Sequence, residues 1–385
     1  MKITTLKMVH VPPRWLLLRV ETDEGVVGYG EPIVEGRART VEQAVRELEP
    51  YLIGHDPRRI EAIWQRLYKG SFYRGGPILA SAVSGVDHAL WDIKGKWLGA
   101  PVYELIGGRV RDRIACYAHV ATGSSDQYEI AVAEGAEARV QEGFSAVKLG
   151  VPAPMAMLES PERIESVARV FAAVRDRVGP KTGIAIDFHG RVAPTLARQI
   201  IRAIEPYTPL FVEEPVLAEE LEAMADIARF THIPIATGER MYTRWGFKQL
   251  FEQRAASIIQ PDPSHAGGIS ETRRIAAAAE TYGIGLAPHN PLGPVNLAVC
   301  LQIDAYTPNF TIQELAGRED GRDLGVGIIR DPFKIVDGSI EVPEGPGLGI
   351  DIDWDDLVDR SKSSGYDGSW ETPQLEYADG SFAPW

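Results

Sequence analysis

The chain has 385 residues, 44% hydrophobic and 24% charged, the proportions of an ordinary globular protein with room for two domains or one barrel and an addition. A formal net charge of -14 argues against a surface for nucleic acid or another polyanion, and a small anionic substrate would need local positive charge, which a bound dication could supply. Two isolated cysteines, Cys116 and Cys300, suggest neither a disulfide framework nor a zinc knuckle; with no apolar run of bilayer length and no signal-peptide core at the start, a cytoplasmic chain without membrane contact is expected.

In chain order, residues 16–22 read as a strand, Asp23-Glu24-Gly25 as a hairpin turn, and 26–30 as the partner strand. Helical periodicity follows over 41–52, 59–68 and 78–98. Strands followed by helices predict an α+β unit over residues 1–112. From 113 to 330 the rhythm changes. Short apolar, β-branched runs at 114–120, 146–150, 183–189, 210–214, 233–239, 257–262, 284–289 and 310–314 alternate with amphipathic helical stretches. Near-continuous hydrophobic strands joined by helices are what a parallel sheet covered by helices requires, and eight of them predict a barrel of alternating strands and helices. A doubly wound open sheet is the less natural alternative. The segment 331–385 returns to strand-like pieces and Pro-Gly turns and is expected to pack back on the N-terminal unit. Within it, Gly345-Pro346-Gly347-Leu348-Gly349 reads as a turn, because no Walker lysine or strand-loop-helix context makes it a phosphate loop.

The later apolar runs end in polar residues at a regular interval. Asp187, Glu213, Glu239, Asp262, His289 and Glu314 follow one another about one βα repeat apart, which places all six at the C-terminal face where barrel enzymes build their sites. A single acidic residue there reads as a helix cap or a surface charge; six in register do not. Three carboxylates on adjacent strands, Asp187, Glu213 and Glu239, would repel one another at neutral pH, and a hard dication removes that repulsion. Mg²⁺ suits this all-oxygen set better than zinc. His189 lies two residues beyond Asp187 and shares its face. Asp262, one strand from His289, can accept a hydrogen bond from its imidazole, fixing the tautomer and raising its basicity as a general base requires.

With those residues in view, the sequence resembles the enolase superfamily in its mandelate-racemase-like branch, and within it the sugar-acid dehydratases that act on galactonate. The resemblance spans Pro12-Pro13-Arg14-Trp15, Glu31-Pro32, Phe72-Tyr73-Arg74-Gly75-Gly76-Pro77, Asp187-Phe188-His189-Gly190-Arg191, Gly238-Glu239-Arg240, Gln260-Pro261-Asp262, Ser264-His265-Ala266-Gly267-Gly268, Ala287-Pro288-His289 and Pro346-Gly347-Leu348-Gly349. It implies an α/β fold: a modified TIM barrel of the (β/α)7β type with an α+β N-terminal capping domain completed by the C-terminal tail. It implies one Mg²⁺ per subunit on Asp187, Glu213 and Glu239, a C2 proton taken by His289 with Asp262 behind it, and a C3 hydroxyl protonated by His189. Lys148 and Glu314, the latter if protonated, would contact the substrate carboxylate. A homo-oligomer, an octamer, is the implied assembly.

Racemases of this branch carry a second lysine base two residues after Lys148. Here that position is Gly150, and related galactonate dehydratases have a polar residue there, so Gly150 is a departure that leaves the sugar acid open. A dehydratase for a gluconate-like or arabinonate-like acid, a racemase or epimerase using His189 and His289, and a non-catalytic ligand-binding descendant are the competing readings. Arg14, Trp15, Tyr73 and Arg74 read either as surface residues or as a substrate-binding lid over the polyol. His119 and His265 each read as facing the site or as making an ordinary loop contact; His10, His55, His88 and His232 have no partner pattern.

Overall fold

The computed structural model describes residues 1–120, 128–152 and 154–383. The N-terminal unit opens with an antiparallel sheet of β1 (Ile3–Val11), β2 (Trp15–Thr22) and β3 (Val27–Gly30). Helices α1 (Ala38–Leu48), α2 (Ile60–Lys69), α3 (Gly76–Leu98) and the short α4 (Val102–Ile106) follow. The central strand β2 is buried on both faces, and α3 is buried over most of its circumference rather than along one stripe. Both follow from where α3 lies: between the sheet and the barrel. Glycines allow the approach. A Cβ on Gly30 would stand 1.9 Å from the carbonyl oxygen of Gly85 on α3, so only glycine fits.

The barrel consists of β4 (Arg113–His119), β5 (Ala146–Gly150), β6 (Gly183–Asp187), β7 (Val212–Glu213), β8 (Ile235–Thr237), β9 (Ile258–Ile259), β10 (Gly285–Leu286) and β11 (Gln313–Leu315). All pair in parallel in chain order, β11 pairs with β4, and a bridge between Leu286 and Phe310 joins the remaining two neighbours. Between the strands run α5 (Tyr128–Gln141), α6 (Pro161–Val178), α7 (Pro194–Ile204), α8 (Leu221–Phe230), α9 (Thr243–Gln253), α10 (Ile269–Thr281) and α11 (Pro294–Tyr306). Eight strands and seven intervening helices among the described residues make this a (β/α)7β barrel. Amphipathic helices such as α7 turn Leu196, Ile200, Ile201 and Ile204 inward onto the strands. Among the described residues no helix is long and apolar enough to cross a membrane.

The tail serves both units, which is more than the sequence suggested. Strands β12 (Ile335–Val336) and β13 (Ser339–Glu341) form a hairpin that pairs antiparallel with β4 of the barrel. Helix α12 (Trp354–Ser364) then packs on β1, and Trp354 stacks on Tyr29 with ring centroids 6.2 Å apart. A last hairpin, β14 (Leu375–Glu376) with β15 (Phe382–Ala383), ends the described chain.

Candidate active site

Asp187 and Glu213 are the final residues of β6 and β7 and pair in register, while Glu239 follows β8 by two residues. Their carboxylate oxygens lie within 4.8 Å of one another. Lys148 on β5 is the cation among them: its Nζ is 2.9 Å from Glu213 Oε2, 3.4 Å from Asp187 Oδ2 and 2.5 Å from Glu314 Oε1. One ammonium does not balance four carboxylates. Burial, and then the charge of Asp187, drives the Glu213 carboxyl well above its ordinary range; burial and the charge of Glu214 push Glu239 up to about 8. Asp187 Oδ2 is buried, with no aligned hydrogen bond beyond its ion-pair contacts to Lys148 and His189. Such a carboxylate oxygen beside two more, all hard donors, fits a dication that prefers oxygen.

His189 and His289 flank this triad. His289 follows β10, with Nδ1 2.8 Å from Asp262 Oδ2 and Nε2 3.3 Å from Glu239 Oε2. Burial works to lower its pKa, but the charges of Glu239 and Glu314 and the bond to Asp262 raise it well above the ordinary histidine value. A cation bound to Glu239 would cancel part of that attraction and return the imidazole toward a proton acceptor.

His189 stands on the Asp187 side, with Nε2 3.1 Å from Asp187 Oδ2. Its backbone is left-handed, at φ 51°, a conformation that a non-glycine residue holds only when its surroundings impose it. Here they do: its N–H donates to Asp187 Oδ1 at 2.7 Å, and its carbonyl accepts from Arg240 at 3.0 Å. Arg240 is itself fixed by a two-pronged pairing with buried Glu214. Burial outweighs Asp187 and takes the His189 imidazole down to about 4, so it is a strong acid once protonated but sparsely protonated at neutral pH.

Glu314, the middle residue of β11, departs from expectation. Burial opposes its charge, but Lys148, His289 and His119 hold its carboxyl well below the ordinary range, so it is ionised rather than protonated. Its Oε1 is 2.6 Å from His119 Nε2, and its Oε2 accepts from Asn290 N at 2.7 Å. His119 therefore faces the site.

These groups open into a cavity of about 770 Å³ between the barrel mouth and the N-terminal unit, lined also by Arg14, Glu35, His265 and Trp370. Of the expected lid residues only Arg14 reaches it. Trp15, the first residue of β2, is 1% exposed and belongs to the core of the N-terminal unit, because the strand turns its large apolar ring inward. Tyr73 and Arg74, in the loop between α2 and α3, line a separate groove of about 330 Å³ with Tyr68 and Leu79. Gly150 sits in register with Asp187, and a Cβ added there would meet nothing within 4 Å.

Sequence reasoning missed the support behind the base. Asn296 on α11 is buried; its Nδ2 donates to Asp262 Oδ1 at 3.1 Å and to Asn290 Oδ1 at 2.9 Å, and its Oδ1 accepts from Ser264 Oγ at 2.8 Å. Glu31, at the end of β3, accepts the N–H groups of Gly293 and Asn296 at 2.7 and 2.9 Å, and burial raises its carboxyl to about 8. The available signal was a lone amide in the otherwise apolar stretch Pro294-Val295-Asn296-Leu297-Ala298-Val299.

Comparison with known proteins is consistent along the whole chain. Residues 4–107 match the family model of the mandelate racemase / muconate lactonizing enzyme N-terminal domain, and residues 131–356 match the enolase C-terminal domain-like model. A D-galactonate dehydratase of Ralstonia nicotianae is 49% identical over 100% of both chains, and one of Cronobacter sakazakii is 47% identical over the same span. Among solved structures, a mandelate racemase/muconate lactonizing enzyme from Jannaschia sp. CCS1 superposes with a TM-score of 0.87 at 32% identity, covering 97% of this chain and 99% of that one. A member of the enolase superfamily from Salmonella Typhimurium gives 0.86 at 32% identity over 92% and 97%.

Proposed function

Since this chain belongs to the enolase superfamily, in the mandelate racemase / muconate lactonizing enzyme family, we propose that it is a magnesium-dependent sugar-acid dehydratase with D-galactonate as substrate. Bound to Asp187, Glu213 and Glu239, Mg²⁺ would supply the positive charge that holds the substrate carboxylate and stabilises charge developing on it. His289, held by Asp262, takes the proton from C2. The electron pair forms the C2–C3 double bond as the C3–O bond breaks, and His189 gives its proton to the departing hydroxyl, which leaves as water. The enol so formed tautomerises to a 2-keto-3-deoxy acid. Lys148 offsets the charge of Glu213 and Glu314 beside the carboxylate.

One observation carries this reading. Two imidazoles stand on different sides of the carboxylate triad, one 3.1 Å from Asp187 and the other 3.3 Å from Glu239. The position where the racemases of this branch place a second lysine is Gly150. One base and one separate acid serve an elimination. The same pair would also serve an epimerase, which exchanges the C2 proton and inverts the centre without losing water. The reading includes a cytoplasmic homo-oligomer, checked by sedimentation.

The test is turnover of a panel of aldonates with Mg²⁺ present, the 2-keto product being trapped as a semicarbazone. His289→Asn is expected to abolish both product and exchange of the C2 proton in deuterium oxide, whereas His189→Gln retains exchange and loses product. No 2-keto acid from any aldonate would sink the proposal, and C2 inversion without water loss would install the epimerase.

A further inference from the structure

The cavity extends past the reacting groups to a wall that the elimination does not use. Glu35, in the loop after β3, and His265, in the turn between β9 and α10, both line it. His265 is buried, and its Nδ1 is 3.0 Å from Ser81 Oγ on α3, a buried hydroxyl that fixes the ring. Its Nε2 is 3.6 Å from Glu35 Oε2, too far for a direct hydrogen bond and close enough for one oxygen atom to bridge the two. Nε2 is also 3.6 Å from Asp262 Oδ2, but that oxygen is already engaged by His289 Nδ1 at 2.8 Å.

The charge state of Glu35 agrees with this geometry. Burial opposes ionisation, yet His265 and then Arg14 bring its carboxyl down to about 2, so it is an acceptor only. Arg14 is held on the same wall, donating to Pro291 O at 2.8 Å and lying 4.8 Å over the Trp370 ring. The wall thus presents a ring N–H and a carboxylate side by side, near enough for one oxygen to touch both. An alcohol answers both: its oxygen accepts from the imidazole and its hydrogen goes to the carboxylate. A carbonyl answers one, a second carboxylate is repelled, and a methylene offers neither group a partner.

We propose that Glu35 and His265 form a hydroxyl-reading subsite that engages one substrate hydroxyl beyond C3 and so selects polyhydroxy acids against the corresponding deoxy acid. The subsite rests on the dehydratase reading and names the part of the substrate that the acid and base do not touch.

The experiment compares kcat/KM for D-galactonate with those for its 4-deoxy, 5-deoxy and 6-deoxy analogues, using Mg²⁺-loaded full-length enzyme. The wild type is expected to disfavour one analogue by at least about 100-fold, less than the roughly 10⁴-fold of a fully enclosed hydrogen-bonding site because the Glu35 side chain is only partly buried. In Glu35→Ala that ratio falls to within about threefold, with the loss on the parent substrate carried mainly by KM. Glu35→Gln, which keeps the shape, and His265→Gln report the same ratio if the alanine variant folds poorly. Loss of rate on all four acids by one common factor, or a wild type indifferent to every deoxy position, overturns the subsite while leaving the dehydratase intact. A wild type that dehydrates no aldonate overturns both.

Discussion

Asn296→Ala should damage catalysis more than binding, although Asn296 does not line the cavity. The carboxylate of Asp262 divides its work: Oδ2 faces His289 Nδ1 at 2.8 Å, while Oδ1 accepts from Asn296 Nδ2 at 3.1 Å and from Ser264 N at 2.7 Å. Alanine removes the amide, leaves Ser264 Oγ and Asn290 Oδ1 without that partner, and leaves Asp262 Oδ1 held by Ser264 N alone. A hydrogen bond to a charged group contributes about 1.5–3 kcal/mol. If all of that went into aligning His289 in the transition state, kcat would fall roughly tenfold to a hundredfold, each 1.36 kcal/mol being tenfold. KM for D-galactonate should stay within about twofold, because the triad and Lys148 are untouched. Steady-state kinetics over pH 6–9 read the split. The acidic limb of kcat/KM should also move, because a loosened Asp262 no longer sets the proton affinity of His289. Asn296→Asp, which puts a second carboxylate against Asp262, should be worse than alanine. An unchanged kcat, or a change confined to KM, would refute the argument that Asn296 positions the base.

Removing divalent metal with a chelator should abolish turnover and lower the melting temperature, since the three carboxylates then repel one another with only Lys148 among them to offset their charge. Restoring Mg²⁺ to about a hundred times its Kd should stabilise the fold by about 2.7 kcal/mol, a rise of roughly 5 °C by calorimetry; a melting curve indifferent to metal would contradict the site. His88, buried on α3 with Nε2 3.0 Å from Pro263 O, has its pKa held down to about 4 by burial. Its neutral form is stabilised in the fold, so its contribution is present above the unfolded value of 6.5 and lost as pH falls toward 4. The stability difference between wild type and His88→Gln should therefore shrink by about 2 kcal/mol from pH 7.5 to 5 in urea titrations, and a constant difference would refute the assignment. Gly150→Lys should fold with little loss, because its Cβ would meet nothing within 4 Å, and it adds an amine two residues from Lys148. Like-charge repulsion would lower its pKa toward that of a base. The variant should gain C2 exchange into the opposite epimer, detected by NMR, and retention of a single epimer would count against the open face at Gly150.

Most of the barrel was legible because a strand buried on both faces must be apolar throughout, and the chain marks its exit at the mouth with Asp187, Glu213, Glu239, Asp262, His289 and Glu314. The tail was less so. The pairing of Ser339, Ile340 and Glu341 with Ala115, Ile114 and Arg113 joins residues more than two hundred positions apart, and no local pattern encodes such a partner. The lid failed for a related reason. Arg14 and Trp15 are adjacent and looked alike as loop residues, but the strand begins at Trp15, so one side chain reaches the cavity and the other enters the core. The place of Glu314 was legible but its charge was left open: three cationic or protonatable neighbours arrive from β4, β5 and the end of β10, a sum visible only when the barrel is closed.

That same geometry changes what the N-terminal unit is for. A cap over a barrel mouth is easily taken as a device for substrate choice alone. Yet on α3 Ser81 meets His265 Nδ1, Ser84 accepts Gly267 N, His88 meets Pro263 O, and Asp87 accepts both Ser270 N and Ser270 Oγ, so one helix fixes the turn that follows Asp262. Gly268 must be glycine there, since a Cβ would lie 2.4 Å from Asp87 Oδ2. Glu31 does the same for the turn after His289 by holding the first N–H groups of α11, one of them that of Asn296. The two turns that carry His289 and Asp262 are thus anchored from the N-terminal unit. Loosening the cap should therefore cost the orientation of His289 before it costs the choice of sugar, and the two losses separate as kcat and KM.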